Sequence, residues 1–419
     1  MRGENVMSLE LDIALSHLLR RRRQTAISVL GVTLGVGFFI GIASMMQGFQ
    51  NYFIEKVIDV QPHIVMKDEF RVPAPQPALR DYADAAVELA GLKPRDEVRG
   101  IRGARAVLAY VRDLPGVRAA PTFSGQALLR YGSKDVSVTV NGIEPNLERR
   151  VTNLEKDLIR GALDDLYTAS NGIILGVGVA EKSGVAMGDT LTVVSPQNVV
   201  LKMKVVGIFS SGITTMDNFE TYVLLKKAQI LHNRPNVINR VRIRLDDIEK
   251  AEPLARQIES RFGYRTESWK EASRNVLGIF VIQNGIMYST VSAILIVACF
   301  GIFNVISTVV FEKSRDIAIL KSMGFAEADI RRIFIIEGLI AGLIGSVLGW
   351  LLGYAIVEFL ASLRFQIEGF VRGEGFFLYR TIWHYAIGAS IATVSAVFAA
   401  WLPARRAARL NPVDIVRGL

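Results

Sequence analysis

The sequence predicts a membrane protein with four transmembrane helices and a large α+β domain between the first and second of them. The 419-residue chain is 50% hydrophobic, with a mean hydropathy of +0.31, which is too apolar for an ordinary soluble protein. The apolar residues concentrate in four stretches, at about 25–48, 281–311, 333–361 and 382–402. Each is long enough for a helix to cross a bilayer, which takes about 20 residues. Residues of about 50–275 have an ordinary composition, so they are expected to form a domain outside the membrane.

Basic residues beside the apolar stretches predict the orientation. The first stretch follows four arginines but runs past the roughly 7–15 apolar residues of a signal peptide, so we interpret it as an uncleaved anchor. Lys and Arg in short loops mark the cytoplasmic side. With four spans, three basic groups fall on one side: Arg20 to Arg23; Lys313, Arg315, Lys321, Arg331 and Arg332; Arg405, Arg406, Arg409 and Arg417. In the 362–381 loop, Glu368 and Glu374 partly offset Arg364, Arg372 and Arg380. Both termini are therefore predicted to be cytoplasmic.

The predicted organisation has nine segments. They are an interfacial helix (1–24), transmembrane helix 1 (25–50), an extracytoplasmic α+β domain (51–275), transmembrane helix 2 with a stalk (276–311), a charged cytoplasmic helix (312–332), transmembrane helix 3 (333–361), an extracytoplasmic loop (362–381), transmembrane helix 4 (382–402) and a cytoplasmic tail (403–419). The stalk is predicted because helical patterns continue past the bilayer over 47–60 and from Glu271 to Phe311.

Within the α+β domain, period-2 alternation and short apolar runs predict strands. These lie at 62–66, 136–140, 172–175, 190–195, 201–209 and 241–245. Helical patterns occupy about 81–113, 147–160, 226–232, 248–262 and 267–275, and the proline-rich 72–78 predicts a loop. We expect two subdomains.

The N-terminal segment predicts an amphipathic helix. Leu11, Leu15, Leu18 and Leu19 form a stripe, with Glu10, Asp12 and His17 off it and Ser8 as N-cap. Such a helix suits the cytoplasmic membrane interface. The alternative is a helix packed on a partner.

Glycines spaced four apart predict close helix packing, within the chain or with a second copy, because small residues let backbones approach in lipid. They are Gly31, Gly35, Gly37, Gly41, Gly338, Gly342, Gly345, Gly349 and Gly353.

The sequence predicts no enzyme, no bound cofactor and no metal site. Cys299 is the sole cysteine, and the four histidines lack metal-ligand spacing. There is no P-loop, and "GVGVAEK" (176–182) has Glu181 where a dinucleotide loop needs its third glycine. Glu337 and Glu358 are near the ends of span three and are interpreted as structural. The sequence has no basic face with interleaved aromatic residues, so it does not indicate nucleic-acid binding.

The stretch "EKSRDIAILKSMGF" (312–325) predicts a capped amphipathic helix between two apolar spans. Glu312 and Asp316 fall in its first turns, and Lys321 falls in its last. Ile317, Leu320 and Met323 form an apolar ridge, and Gly324 ends the helix. The pattern alone favours equally a helix that docks on another protein and one that packs on its own spans.

The stretch 312–353 resembles the signature of FtsX/MacB-type ABC transporter permeases, and "LPARRAARLNPVDIVRGL" is similar to that family's C-terminus. Four further segments are similar to the lipoprotein-releasing (LolC/LolE) subgroup: "MMQGFQ" with "QPHIVM" (45–66), "NGIEPNLERRVTNLEK" (141–156), "NGIILGVGVAEKSGVAMGDTLTVVSP" (171–196) and "VVGIFSSGITTMDNFETYVLLKKAQIL" (205–231).

The resemblance implies a multi-pass inner-membrane permease with a MacB-like periplasmic domain. Two such chains, identical or different, would pair with two copies of a LolD-like ATPase that binds ATP and Mg²⁺. ATPase motion would drive release of a lipoprotein or another amphipathic cargo by mechanotransmission. The coupling residues carried over by motif position are Glu312, Lys313, Arg315, Asp316, Ile319, Leu320, Lys321, Met323 and Gly324.

One departure leaves alternatives open. In the subgroup's chaperone-binding subunit, a protruding loop follows the strand that corresponds to 190–196. Here "SPQNVVLKMK" continues to the next strand with almost no insertion. A periplasmic chaperone therefore stays an open partner. The alternative functions are an FtsX-like signalling permease that controls a cell-wall hydrolase and a MacB-like efflux permease.

Overall fold

The structure, a computed structural model, describes residues 2–69, 100–364, 366–368 and 372–409. The chain divides into two compact units. The helical unit comprises Met1–Tyr52, Gly278–Phe365 and Glu374–Leu419, and the sheet-rich unit comprises Phe53–Leu277 and Gln366–Gly373. The 72–78 loop and the 81–99 part of a predicted helix lie outside the described residues.

The described elements are numbered in chain order. The helices are α1 (Arg2–Arg20), α2 (Arg22–Val60), α3 (Ala104–Asp113), α4 (Pro145–Glu148), α5 (Asp165–Thr168), α6 (Val177–Ser183), α7 (Thr214–Phe219), α8 (Leu225–Leu231), α9 (Ala251–Phe262), α10 (Trp269–Ala272), α11 (Arg274–Glu312), α12 (Ser314–Ser322), α13 (Glu327–Ser362) and α14 (Ile382–Ala408). The strands are β1 (Ile64–Lys67), β2 (Val117–Tyr131), β3 (Lys134–Ile143), β4 (Leu158–Gly161), β5 (Gly172–Gly176), β6 (Thr190–Val194), β7 (Val200–Phe209), β8 (Glu220–Leu224), β9 (Arg240–Leu245), β10 (Thr266–Ser268), β11 (Gln366–Glu368) and β12 (Arg372–Glu374).

Within the described part of the chain, four helices, α2, α11, α13 and α14, are long and apolar enough to cross a membrane. Helices α2 and α11 have 39 residues each. At 1.5 Å per residue each is about 58 Å long, roughly twice the hydrocarbon thickness of a bilayer. In the helical unit, buried faces of all four share one apolar core with Ala14 of α1 and Ile317 of α12.

The sheet-rich unit contains ten described strands in one sheet, in the order β10-β1-β9-β2-β3-β8-β5-β7-β4, with β6 paired to β2 and β7. The β3–β8 and β5–β7 pairs are parallel, and the other pairs are antiparallel. The 15-residue β2 belongs to two parts of this sheet. Val117–Thr122 pairs with β9, and Phe123–Tyr131 pairs with β3.

Three predictions about local structure were wrong. The helix expected over 147–160 is a short α4 followed by turns and β4. Buried Val151 and Leu154 mimic helical spacing there, but Leu158–Gly161 forms backbone pairs with β7. The helix expected over 267–275 begins instead as β10, and Ser268 then caps α10 by accepting from the backbone N–H of Glu271. Ser8 cannot be an N-cap because α1 already begins at Arg2.

Candidate functional site

The candidate site is α12, the short helix between two of the long apolar helices. Helix α11 ends at Glu312, and Lys313 leaves the helical conformation before α12 begins. Asp316 lies in the first turn of α12, and its carboxylate pairs with Lys313 Nζ at 2.6 Å. Gly324, with φ of 102°, follows the helix, and the N–H groups of Met323 and Phe325 donate back to the carbonyl of Leu320. Then α13 starts where Asp329 accepts from the N–H of Ala326 at 2.9 Å.

One side of α12 is fixed to the helical unit. Ile317 and Ala318 are buried, and Leu320 packs against the same apolar core. Lys321 Nζ donates to the carbonyl of Ala408 at 2.8 Å, at the end of α14, where the C-terminal carbonyls attract a cation. These contacts attach one side of α12 to the helical unit.

The other side of α12 is exposed. Ile319 is 57% exposed and Met323 is 73% exposed, and Arg315 and Asp316 lie beside them. The predicted ridge of Ile317, Leu320 and Met323 is therefore not one surface. Ile317 is buried, and only Met323 of the three is freely exposed, because the inward side of α12 faces α13 and α14.

Glu312 does not lie in the first turn of α12, as the sequence predicted. It is the last residue of α11 because the helical hydrogen bonds continue through it, and its carboxylate forms an ion pair with Arg21. Arg21 lies in the junction between α1 and α2. The pair thus joins the end of α11 to the junction of α1 and α2.

Helix α1 packs on α13, and its polar contacts lie beside the buried Ala14. His17 Nδ1 is 2.6 Å from Glu337 Oε1, and buried Glu10 lies 3.9 Å from Arg332. Leu11, Leu15 and Leu19 of the stripe are between 44% and 56% exposed. An exposed leucine stripe on a helix whose other side packs on the protein suits a membrane interface.

Each predicted glycine lies against another helix of the chain. A Cβ at Gly345, Gly349 or Gly353 would lie 2.6–2.8 Å from Val32, Val36 or Ile40 of α2. Gly338 and Gly342 lie against Ala400 and Ala396 of α14, Gly31 and Gly35 against Ala298 and Leu295 of α11, and Gly37 and Gly41 against Leu352 and Ile356 of α13. The glycines thus permit close packing of the four long helices.

The glycines of "GVGVAEK" also have a packing role. A Cβ at Gly178 would lie 1.8 Å from the side-chain oxygen of Asn218, and one at Gly176 would lie 2.3 Å from the carbonyl of Asp217. The space beside this loop is therefore filled by α7. Among the described residues, no three His, Cys, Asp or Glu side chains form a group that could hold a metal ion.

Two family models match the chain. The model for the MacB-like periplasmic core domain covers residues 25–261, and the model for the FtsX-like permease C-terminal region covers 288–412. The first alone spans more than half of the sequence. The chain belongs to the MacB/FtsX permease family.

The relatives of this permease include subunits of a lipoprotein-releasing system and a macrolide exporter. The lipoprotein-releasing system transmembrane protein LolC of Neisseria meningitidis is 27% identical over 80% of this chain and 78% of its own. LolE of Haemophilus influenzae, from a system of the same name, is 25% identical over 74% and 72%. The macrolide export ATP-binding/permease protein MacB of a Shewanella strain is 23% identical over 96% of this chain and 59% of its own.

The permease also has an amide-rich groove of about 420 Å³ between α2, α11 and α14. His384 Nε2 lies 2.6 Å from Gln47 Oε1, and Gln50 donates to the side-chain oxygen of Asn284 at 3.0 Å. Sequence reasoning missed these residues, although polar side chains within apolar helices are a signal of function.

The connection after β6 is a tight turn. Residues 195–199 join β6 to β7, with the N–H of Ser195 donating to the carbonyl of Val199 and Asn198 at φ of 60°. Asn tolerates this left-handed conformation better than most residues. The permease thus has a five-residue hairpin loop at the position where the sequence predicted almost no insertion.

Proposed function

We propose that this permease is the membrane subunit of a lipoprotein-releasing ABC exporter. A separate LolD-like ATPase would bind ATP and Mg²⁺, and α12 would be its docking element on the cytoplasmic side. The observation that carries the proposal is the two-sided environment of α12. Ile317, Ala318 and Lys321 attach it to the bundle, whereas Ile319 and Met323 face outward.

The basic residues beside the spans support a cytoplasmic position for α12 and both termini. The domain between spans one and two is then periplasmic, and the protein lies in the inner membrane. A push on α12 passes to α11 through Lys313, and the Glu312–Arg21 pair connects the end of α11 to the junction of α1 and α2. Since α11 is a continuous helix of about 58 Å, it can transmit that displacement along its length.

A second permease chain, identical or different, completes the exporter in this proposal. The groove lined by Gln47, Gln50, Asn284 and His384 offers amide and imidazole groups beside apolar surface. That lining suits a lipid-linked peptide segment, which has both kinds of surface. The tight 195–199 loop offers little surface to a periplasmic chaperone, so in a heterodimer the other chain would bind the chaperone.

Depletion of the permease tests this function. Lipoproteins destined for the outer membrane should accumulate in the inner membrane, as measured by membrane fractionation and acyl labelling. Re-expression of the wild type should reverse the accumulation, and Gln47→Leu/His384→Leu should reverse it only in part. Normal lipoprotein sorting after depletion would contradict the proposal.

A MacB-like efflux function is the second candidate, favoured by the match to MacB over 96% of this chain. In that case depletion would leave lipoprotein sorting normal and sensitise cells to an exported small molecule. Co-purification of a periplasmic adaptor with the permease would also support efflux.

A further inference from the structure

A second groove lies between α13 and α14, and Thr381 lines both this groove and the amide-rich groove. Its volume is about 650 Å³. Its walls are mostly apolar and aromatic: Trp350, Tyr354 and Val357 of α13, with Ile382, Tyr385 and Ala386 of α14. Trp350 Nε1 donates to the carbonyl of Tyr385 at 3.0 Å and so joins the two walls.

An ion pair lies at one end of this groove. Arg380 is 3.0 Å from Glu358 Oε1, and both side chains are exposed. Glu358 is one turn before the end of α13 at Ser362, and Arg380 is two residues before the start of α14. If both helices cross the membrane, the pair lies at headgroup level, where Trp and Tyr are also enriched. Trp350 lies eight residues, or about 12 Å, deeper along α13.

This arrangement matches a zwitterionic lipid more closely than an anionic one. The guanidinium of Arg380 can bind a phosphate through two N–H donors. The carboxylate of Glu358 beside it attracts an ammonium group, whereas an anionic lipid has no cation to pair with this carboxylate. A primary ammonium can donate up to three hydrogen bonds to Glu358, whereas a trimethylammonium has no N–H to donate.

We propose that this groove binds one phospholipid with a primary-amine headgroup, of the phosphatidylethanolamine class. The phosphate lies on Arg380, the ammonium lies on Glu358, and an acyl chain lies along Trp350, Tyr354 and Tyr385. This lipid is not the transported cargo. It is a lipid held at the ends of α13 and α14 that are non-cytoplasmic in the orientation of the proposed function, and its binding does not depend on which cargo is released.

Native mass spectrometry of the purified full-length chain tests the site. The chain is mixed with equal amounts of phosphatidylethanolamine, phosphatidylglycerol and phosphatidylcholine, and the retained lipid is identified. We expect the ethanolamine lipid to be retained roughly tenfold over the other two, as the loss of one charge-assisted hydrogen bond implies. Glu358→Gln should remove that preference, and Arg380→Gln should lower retention of all three lipids. Arg364→Gln, an exposed charge at the same end of α13, is the matched control and should change neither.

A space-filling pair of variants tests the position. Ala386→Trp should fill the groove and release the lipid, whereas Ile391→Trp, exposed on α14 outside the groove, should retain it. Equal elution volume and thermal stability of the two variants would show that the change is local. Three results would overturn the proposal: equal retention of all three lipids, retention by Ala386→Trp, or disulfide-linked dimers through Ile382→Cys in a Cys299→Ser background. The last result would show that a second copy covers the groove.

Discussion

Replacing Ile319 and Met323 with alanine should weaken binding of the ATPase without unfolding the permease. Full burial of an Ile or Met side chain is worth about 1.5–3 kcal/mol. Ile319 is 57% exposed and Met323 is 73% exposed, so this fraction of each remains to be buried by a partner. After subtracting what alanine retains, the double variant should lose about 2–3 kcal/mol, or roughly 30- to 150-fold in Kd.

Biolayer interferometry measures this loss with the permease in nanodiscs and its ATPase, the latter first identified by mass spectrometry after pull-down with the wild type. Ile159→Ala/Met187→Ala is the matched control, because these residues are 59% and 38% exposed in the sheet-rich unit. Binding by the I319A/M323A variant within threefold of wild type would refute the assignment, as would equal weakening by the control. Leu320→Asp is a less informative test, since Leu320 packs against the core and its replacement should lower Tm.

Three further predictions concern stability, measured by thermal unfolding of the full-length chain. Burial raises the pKa of Asp157 to about 6, so the folded state binds the proton of this carboxyl more tightly than the unfolded chain does. The free energy of unfolding therefore includes a contribution at acidic pH that is lost as pH rises from about 4 to 6. Asp157→Asn should flatten that loss and stabilise the protein near neutral pH by about 1 kcal/mol, a value reduced for partial solvent screening, and an unchanged pH slope would contradict it. Gly349→Ala should cost about 1–3 kcal/mol by overpacking, whereas Gly301→Ala, with open space at its Cβ position among the described residues, should be neutral or stabilising. Glu148 lies 2.7 Å from the buried Arg242, so Glu148→Ala leaves that guanidinium without this counter-charge and should lower the free energy of unfolding by about 3–5 kcal/mol. A decrease below about 1 kcal/mol would be inconsistent with this reasoning.

Hydropathy predicted the four long helices because a membrane span requires a long, local run of apolar residues. Strand β2 was not predicted because its signal is not local. Six consecutive residues from Ala119 to Ser124 are buried, so the first half of the strand shows no period-2 alternation. It also contains Pro121 and Gly125, which usually argue against a strand. At Pro121, β2 pairs with β9, and its pairing with β3 begins only at Phe123. Pro121 is tolerated because its missing N–H falls outside the β3 pairing.

At α12, the sequence predicted an amphipathic helix but could not assign its two apolar sides. Ile317 and Leu320 face the core, whereas Ile319 and Met323 face outward. All four count as apolar in a hydrophobicity pattern, so the pattern cannot distinguish the inner residues from the outer ones. The choice depends on where α13 and α14 end, which is a property of the tertiary fold. The same limit applies to α1, whose His17 contacts a residue 320 positions away.

The attachments of α12 explain why the chain has a capped helix there and not a flexible loop. A loop between two spans would absorb a displacement by changing its own dihedral angles, because few contacts fix them. Buried Ile317 and Ala318 and the Lys321–Ala408 hydrogen bond remove that freedom, so a force on Ile319 or Met323 must move α13 and α14 as well. Weakening those attachments should therefore separate binding from transport. Lys321→Met would leave the docking surface in place and ATPase affinity nearly unchanged, yet reduce the transport obtained per ATP hydrolysed in reconstituted vesicles. If Lys321→Met instead weakened ATPase binding as much as I319A/M323A does, Lys321 would be part of the docking surface and the lever mechanism would lose its main support.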